Sequence, residues 1–273
     1  MKNEKVETKE GVEDFSACPL CGEPSENLQK SHIIPGFMKE LYQTEGGKKG
    51  FLRTTNLGLT GLTQDLLKTR MCCKVCEQEM SIHEGHAKRF FKSVLQQNKV
   101  EYGEWMRPFL LALTVKFISV LPKCYHETIK REGSEIVEKR VTRHSIADDT
   151  ILQGAVYSAW SAFRKHGQAT KELSFYLFDI RGSKMLPQLG YHYICEQWGP
   201  EKQEVRGLIV FLGAVVVFVL ARGKLANSYS AKLKLKGGSF SMPENHCSVF
   251  ELQHVLLKSH INASAAFEKY NSK

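Results

Sequence analysis

Four cysteines in two matched pairs are the residues of this chain whose spacing most directly implies chemistry. They are Cys18-Pro19-Leu20-Cys21 and Cys73-Lys74-Val75-Cys76, with 51 residues between the pairs. Two cysteines separated by two residues can present both thiolates to one tetrahedral ion from a tight turn, so Cys18, Cys21, Cys73 and Cys76 together describe a closed structural zinc site. Cys72 offers a variant in which a CxxxC turn replaces the second pair. Zinc binding in small modules contributes on the order of 10 kcal/mol, comparable with the stability of a whole domain, so metal removal is expected to unfold this part of the chain.

A closed four-thiolate site has no vacancy for the histidine between the pairs, in Ser31-His32-Ile33-Ile34-Pro35. An imidazole with an unperturbed pKa of about 6.5 is largely neutral at pH 7, the form a base must have. Directly after the second pair comes the carboxylate of Glu77. Glu84 follows seven residues later, two helical turns along the same face, whereas His83 points elsewhere. The structural alternatives are an imidazole that steadies a hairpin, a Glu77 favoured by a helix dipole, and a Glu84 that is a surface residue.

This order of residues resembles the zinc-containing form of the His-Me finger, or HNH, endonuclease family. There a CxxC knuckle precedes a β-hairpin carrying a histidine step, and a second CxxC opens a helix. The resemblance covers about residues 15 to 95. More narrowly, the chain is similar to a group of bacterial proteins with the same Ser-His-Ile-Ile-Pro and Cys-Glu arrangement, a Trp-bearing helical segment and a strand-rich C-terminus. The implied fold is α+β, with an N-terminal zinc-bound treble-clef or ββα-metal domain followed by an α+β domain with a mainly antiparallel sheet. His32 would be the general base and Glu77 a ligand of a catalytic Mg²⁺ or similar divalent cation, helped by Glu84. Ser31 stands where the family usually has a stronger metal ligand, and Glu77 replaces an uncharged one, so one charged ligand is lost and one gained. Asn56-Leu57 resembles a step often found ahead of the second knuckle. The implied function is metal-dependent hydrolysis of phosphodiester bonds in nucleic acid, DNA first, with bacterial anti-phage defence beside an ATPase or sensor protein as an extension. The rival reading is a catalytically inactive zinc-stabilised module that binds nucleic acid or protein.

The elements that must position these residues follow from periodicity. Residues 1–14 carry alternating charges without a periodic apolar face and read as a flexible tail. Residues 15–100 hold the zinc spacing, with a loop at 45–50 and a helix after Cys76 that turns Met80, Ala87, Phe90 and Phe91 inward and Lys88 and Lys92 outward. Residues 101–273 read as the α+β domain. It opens with an all-apolar core helix from Trp105 to Leu121, entered through Pro108 and ended by Pro122. A second helix spans Asp149 to His166, capped by Asp148 or Asp149 and ended by Gly167, with Leu152, Val156, Ala159, Trp160 and Phe163 on one face. Strand candidates follow at Leu173–Ile180, Tyr191–Glu196, Val205–Leu212, Val215–Leu220 and Ser230–Lys236, and a last helix is expected from a capping box at Ser248.

Composition bounds the partners. The 273 residues carry 38 Lys and Arg against 29 Asp and Glu, a net charge of +9 that favours an anionic partner without specifying one. Residues 15 to 100 contribute 12 basic and 8 acidic side chains, or +4. Among them Lys30, Lys39, Lys68, Arg70, Lys74, Lys88, Arg89 and Lys92 surround the motifs, so a nucleic-acid groove must come from clustering. Lys232, Lys234 and Lys236 read as lysines protecting an edge strand. His144, His192, His246, His254 and His260 lack partners at metal spacing, and Cys124, Cys195 and Cys247 read as buried thiols. Eight cysteines without an apolar leader suggest a reducing cytoplasm. The apolar run from Gly207 to Ala221 would span about 22 Å as a helix, short of a bilayer core, and its β-branched content suits buried strands.

Overall fold

A computed structural model of the chain describes residues 4–42, 51–54, 61–63, 66, 68–97, 99–132, 134–143, 149–167, 173–179, 188–198, 203–213, 215–223, 231–232 and 237–241. In chain order, β1 (Glu4–Val12), β2 (Leu28–His32), α1 (Gly36–Tyr42), β3 (Phe51–Thr54), β4 (Gly61–Thr63) and β5 (Lys68–Cys73) lead into the long α2 (Lys74–Gln96). Then come β6 (Lys99–Tyr102), α3 (Met106–Val120), the hairpin strands β7 (Cys124–Glu132) and β8 (Glu135–Arg143), and α4 (Thr150–His166). Strands β9 (Ser174–Asp179), β10 (Gln188–Trp198), β11 (Gln203–Gly213), β12 (Val215–Arg222), β13 (Ala231–Lys232) and β14 (Gly238–Ser241) complete the described elements. The architecture is mixed helix and sheet, α+β, and the one parallel pairing among the described strands is β10 with β3.

Four sheets result. The largest has seven strands in the order β13-β9-β12-β11-β10-β3-β4, so β3 and β4 from the motif region continue a sheet built from the C-terminal half. Its centre explains the long apolar run. Val215, Val217 and Val219 join the main core while Val216 is buried on the other face, so β12 is covered on both sides and shows no alternation. Gly213, at φ 69°, makes the turn that separates β11 from β12. Two further sheets are two-stranded, β14-β6 and β2-β5. The last has three strands in the order β1-β7-β8. Glu4–Val12, read from sequence as part of a tail, pairs residue by residue with β7 from Glu4↔Glu132 to Val12↔Cys124. An edge strand of alternating charges is held by backbone hydrogen bonds, so the search for an apolar period does not see it.

The helices stack on this frame. α3 packs between α2 and α4, and α4 lies on β11 and β12. Because α3 is enclosed from all sides, 13 of its 15 residues are buried, including Arg107 and Lys116. Arg107 meets the Leu173 carbonyl at 3.3 Å and the Phe175 ring at 5.5 Å. α4 carries its expected signals: the Asp149 carboxylate accepts from the Ile151 and Leu152 amides at 3.1 and 3.0 Å, and Gly167 ends the helix at φ 65°. One continuous cluster of buried side chains runs from Phe15 through the helices to Val219. The helix expected from Ser248, the loop at 45–50, Asn56-Leu57, Lys234, Lys236, His144, His246, His254, His260 and Cys247 lie outside the described residues, as do the side chains of His192 and Cys195. β13 stands at a sheet edge, as its lysine spacing suggests.

Candidate functional site

The first cysteine pair sits on a tight knuckle. The Gly22 amide donates to the Cys18 carbonyl at 2.8 Å, the Cys18 amide to the Glu23 carbonyl at 2.7 Å, and Gly22 takes φ 84°, a conformation that favours glycine. The second pair sits where β5 runs into α2, with Cys73 as the N-cap and Cys76 in the first turn. These placements bring the sulfurs of Cys18, Cys21, Cys73 and Cys76 within 4.8 Å of one another, and Cys21 and Cys73 are 3.5 Å apart. A regular tetrahedron with metal–sulfur bonds of about 2.3 Å has edges of about 3.8 Å, so the four sulfurs fit one ion. The cluster is the metal-binding arrangement expected from the CxxC spacing, and Cys72 is outside it. The buried Cys72 thiol instead faces Cys18, where it and Cys76 hold the Cys18 thiol far below the ordinary thiol range.

Side chains from α4, remote in sequence, support the cluster. The buried Trp160 indole N–H donates to the Leu20 carbonyl, inside the first knuckle, at 2.7 Å. Arg164 Nη1 approaches Cys76 Sγ at 3.8 Å and is ion-paired with Glu79 at 3.0 Å. Trp160 occupies the apolar helical face that periodicity assigns it, but its hydrogen bond is not visible in a sequence pattern.

His32 ends β2, which pairs with β5. Its register is shifted between Gln29 and Lys30, so that Gln29 faces Cys72 while Lys30 faces Arg70, leaving Met71 unopposed. This bulge sets which side chains share a face. Beyond it Lys30↔Arg70 and His32↔Lys68 lie on one side, and Ser31↔Thr69 on the other. The second side is buried, with Ser31 at 2% and Thr69 at 3% exposure, and the Ser31 hydroxyl donates to the Gln29 carbonyl at 3.2 Å. Ser31 is therefore directed away from the face that carries His32. The outer face exposes Lys30, Lys68 and Arg70, and His32 is half-buried beside them.

The imidazole of His32 lies against the start of α1. A Cβ on Gly36 would stand 3.2 Å from His32 Cε1 and 3.4 Å from Nδ1, so glycine is what lets the helix approach the ring. Burial lowers the His32 pKa below its ordinary value, with Lys68, Lys116 and Lys39 acting in the same direction and Glu77 opposing them. The imidazole and the Glu77 carboxylate are thus in one electrostatic neighbourhood. That neighbourhood also holds a residue which sequence reading missed. Lys116, 2% exposed in the core helix α3, pairs with Glu77 at 3.4 Å. Burial raises the Glu84 carboxyl, which Lys116 lowers and Glu77 raises further, so Glu84 belongs to the same group and is no plain surface residue. His83 responds to burial, Glu79 and His86 instead, which puts it elsewhere. Lys88 is ion-paired with Glu40 of α1. No helix among the described residues is long and apolar enough to cross a membrane. Compared with known protein families, with curated proteins and with solved structures, the chain matches none.

Proposed function

We propose that the chain is a zinc-stabilised endonuclease of the ββα-metal kind, which hydrolyses phosphodiester bonds of nucleic acid, DNA first, with His32 as general base. One observation carries this reading: an antiparallel strand pair, β2–β5, continues into α2 through a four-cysteine cluster, and this root brings the histidine of β2 and the helix's first-turn carboxylate into one charged group. Zinc on Cys18, Cys21, Cys73 and Cys76 would cross-link the knuckle to the helix start, a structural role.

Burial and the neighbouring ammonium groups keep His32 neutral at pH 7, the form that accepts a proton. In the proposed reaction a water oxygen bonds to phosphorus while its proton passes to the imidazole. The P–O ester bond breaks, and the departing oxygen leaves as an alcohol after taking a proton from solvent. A phosphomonoester remains. The divalent cation that the family resemblance implies does not fit the donor set. Ser31 is turned away and occupied, and Glu77 already pairs with Lys116. No step is assigned to such an ion.

The Lys116–Glu77 pair also favours a second reading, in which the same basic strand pair binds nucleic acid without cutting it. Incubating the zinc-loaded protein and its His32→Ala variant with plasmid and single-stranded DNA separates the two. We expect cleavage by the parent and a loss of about 10²- to 10⁴-fold in the variant, at unchanged zinc content and circular dichroism. Salt-dependent DNA binding without cleavage by the parent supports the binding module instead.

A further inference from the structure

Lys116 is out of place in its helix. A charged group is rarely enclosed unless paired, and replacing such a pair by apolar side chains often leaves a fold no less stable. Its partner Glu77 is a carboxylate that the resemblance gives to a catalytic metal, and Glu84 lies in its electrostatic field. A hard dication requires a cage of oxygen ligands with net negative charge. The charged groups acting on His32 are Lys68 from β5, Lys116 from α3, Lys39 from α1 and Glu77 from α2, three positive against one negative.

The β2–β5 pair adds an independent geometric observation. Its shifted register sets Lys30 directly opposite Arg70, and Lys68 opposite His32, on one exposed face. Like charges facing each other across two strands are destabilising, and no described carboxylate is ion-paired with Lys30, Lys68 or Arg70. Without the bulge, Lys30 would face Met71. The chain therefore assembles a cluster of cations that only an anion relieves.

We propose that Lys116 is the resident cation of this site and that the β2–β5 face, through Lys30, Lys68 and Arg70, receives the nucleic-acid backbone directly, so that no divalent ion binds at Glu77. The inference rests on the endonuclease reading for its substrate. Lys116 acts through Glu77 as a positioning residue. The exposed ammonium and guanidinium groups meet the phosphates, with Lys68 next to the base.

The test uses the full-length zinc-loaded protein and Mn²⁺, followed by electron paramagnetic resonance. The wild type should show no site-specific binding below millimolar Mn²⁺. Lys116→Met, which frees Glu77 and Glu84, should bind at least tenfold more tightly, Lys116→Arg should restore the wild-type behaviour, and adding Glu77→Gln to Lys116→Met should abolish the gain. A merely structural Lys116 would move none of these readings. In parallel, the salt dependence of binding to single-stranded DNA should lose about one unit of slope for Arg70→Ala and for Lys68→Ala. Tight Mn²⁺ binding by the wild type that disappears in Glu77→Gln overturns the proposal, as does an unchanged salt slope in both alanine variants. Cleavage in divalent-free buffer should match cleavage with Mg²⁺, and dependence on Mg²⁺ also overturns it. If the wild type cuts DNA under neither condition, the endonuclease reading fails, while the Mn²⁺ and salt measurements still decide the role of Lys116 and the basic face.

Discussion

Trp160→Phe tests whether α4 belongs to the metal centre. The substitution keeps an aromatic ring beside Phe163, whose centroid is 5.7 Å away, and removes the indole N–H. That N–H donates at 2.7 Å to the carbonyl of Leu20, and both residues are buried, at 7% and 4% exposure. A buried carbonyl left without its donor costs about 1–3 kcal/mol. Leu20 lies between two of the four cysteines, so the loss falls on the loop that holds them in position. If the bond forms only when the knuckle is ordered around its ion, the whole cost appears in metal affinity, a weakening of roughly 5- to 150-fold, since each 1.4 kcal/mol is tenfold. Competition with a chromogenic zinc chelator measures this directly, and thermal unfolding of zinc-loaded and zinc-free protein supplies the control. Zinc affinity unchanged within about twofold, with both forms destabilised equally, would show that the bond is independent of the metal and refute the coupling of α4 to the knuckle.

Three further outcomes follow from the site. Cys73→Ser should abolish stoichiometric zinc binding and unfold the region around the cluster, whereas Cys72→Ser should keep one zinc per chain, both read by metal analysis and circular dichroism. His32 should titrate below about 6.5 by NMR. The unfolded chain then binds the extra proton between the folded value and 6.5, so this group's contribution to stability is complete above 6.5 and declines as pH falls through that window. A histidine signal titrating above 7 would refute the assigned environment. Gly36→Ala should push against an imidazole 3.2 Å away, lowering cleavage at least tenfold while zinc content stays the same, because a base displaced by a few tenths of an ångström loses its geometry.

What could be read from the sequence was whatever is local. The CxxC turns, the capped α4 and the β-branched strands β11 and β12 each depend on residues within one or two turns of each other, and each is found in place. β1 escaped because its pairing with β7 joins positions more than 100 residues apart and uses the backbone, which has no signature in side-chain types. Lys116 escaped for the opposite reason: the apolar residues around it identify a core helix correctly, and that identification says nothing about which polar partner waits on the neighbouring helix. Of the candidate site, His32, Glu77 and Glu84 share one charged neighbourhood, while Ser31 is turned to the buried side by strand alternation beyond the bulge.

The bulge in β5 ties the metal centre to the charged face. On one side of the shift Leu28 pairs with Cys73, and on the other His32 pairs with Lys68, all within a five-residue strand. A slip of one residue exchanges the two faces of a strand, so the same strand pair cannot keep the cysteine at the root and the basic residues outward unless the extra residue, Met71, is absorbed between them. Met71 is fully buried, which anchors the bulge in the core. Replacing it by alanine would leave a cavity, whereas deleting it would give a regular ladder that still sets Lys30 opposite Arg70 and His32 opposite Lys68. The deletion should therefore spare both zinc uptake and the pairing of His32 with Lys68, while Met71→Ala should cost about 2–5 kcal/mol of stability. Retained zinc with retained DNA binding is the expected combination for the deletion, and DNA binding lost at full zinc content would refute the reasoning that this register sets the basic face.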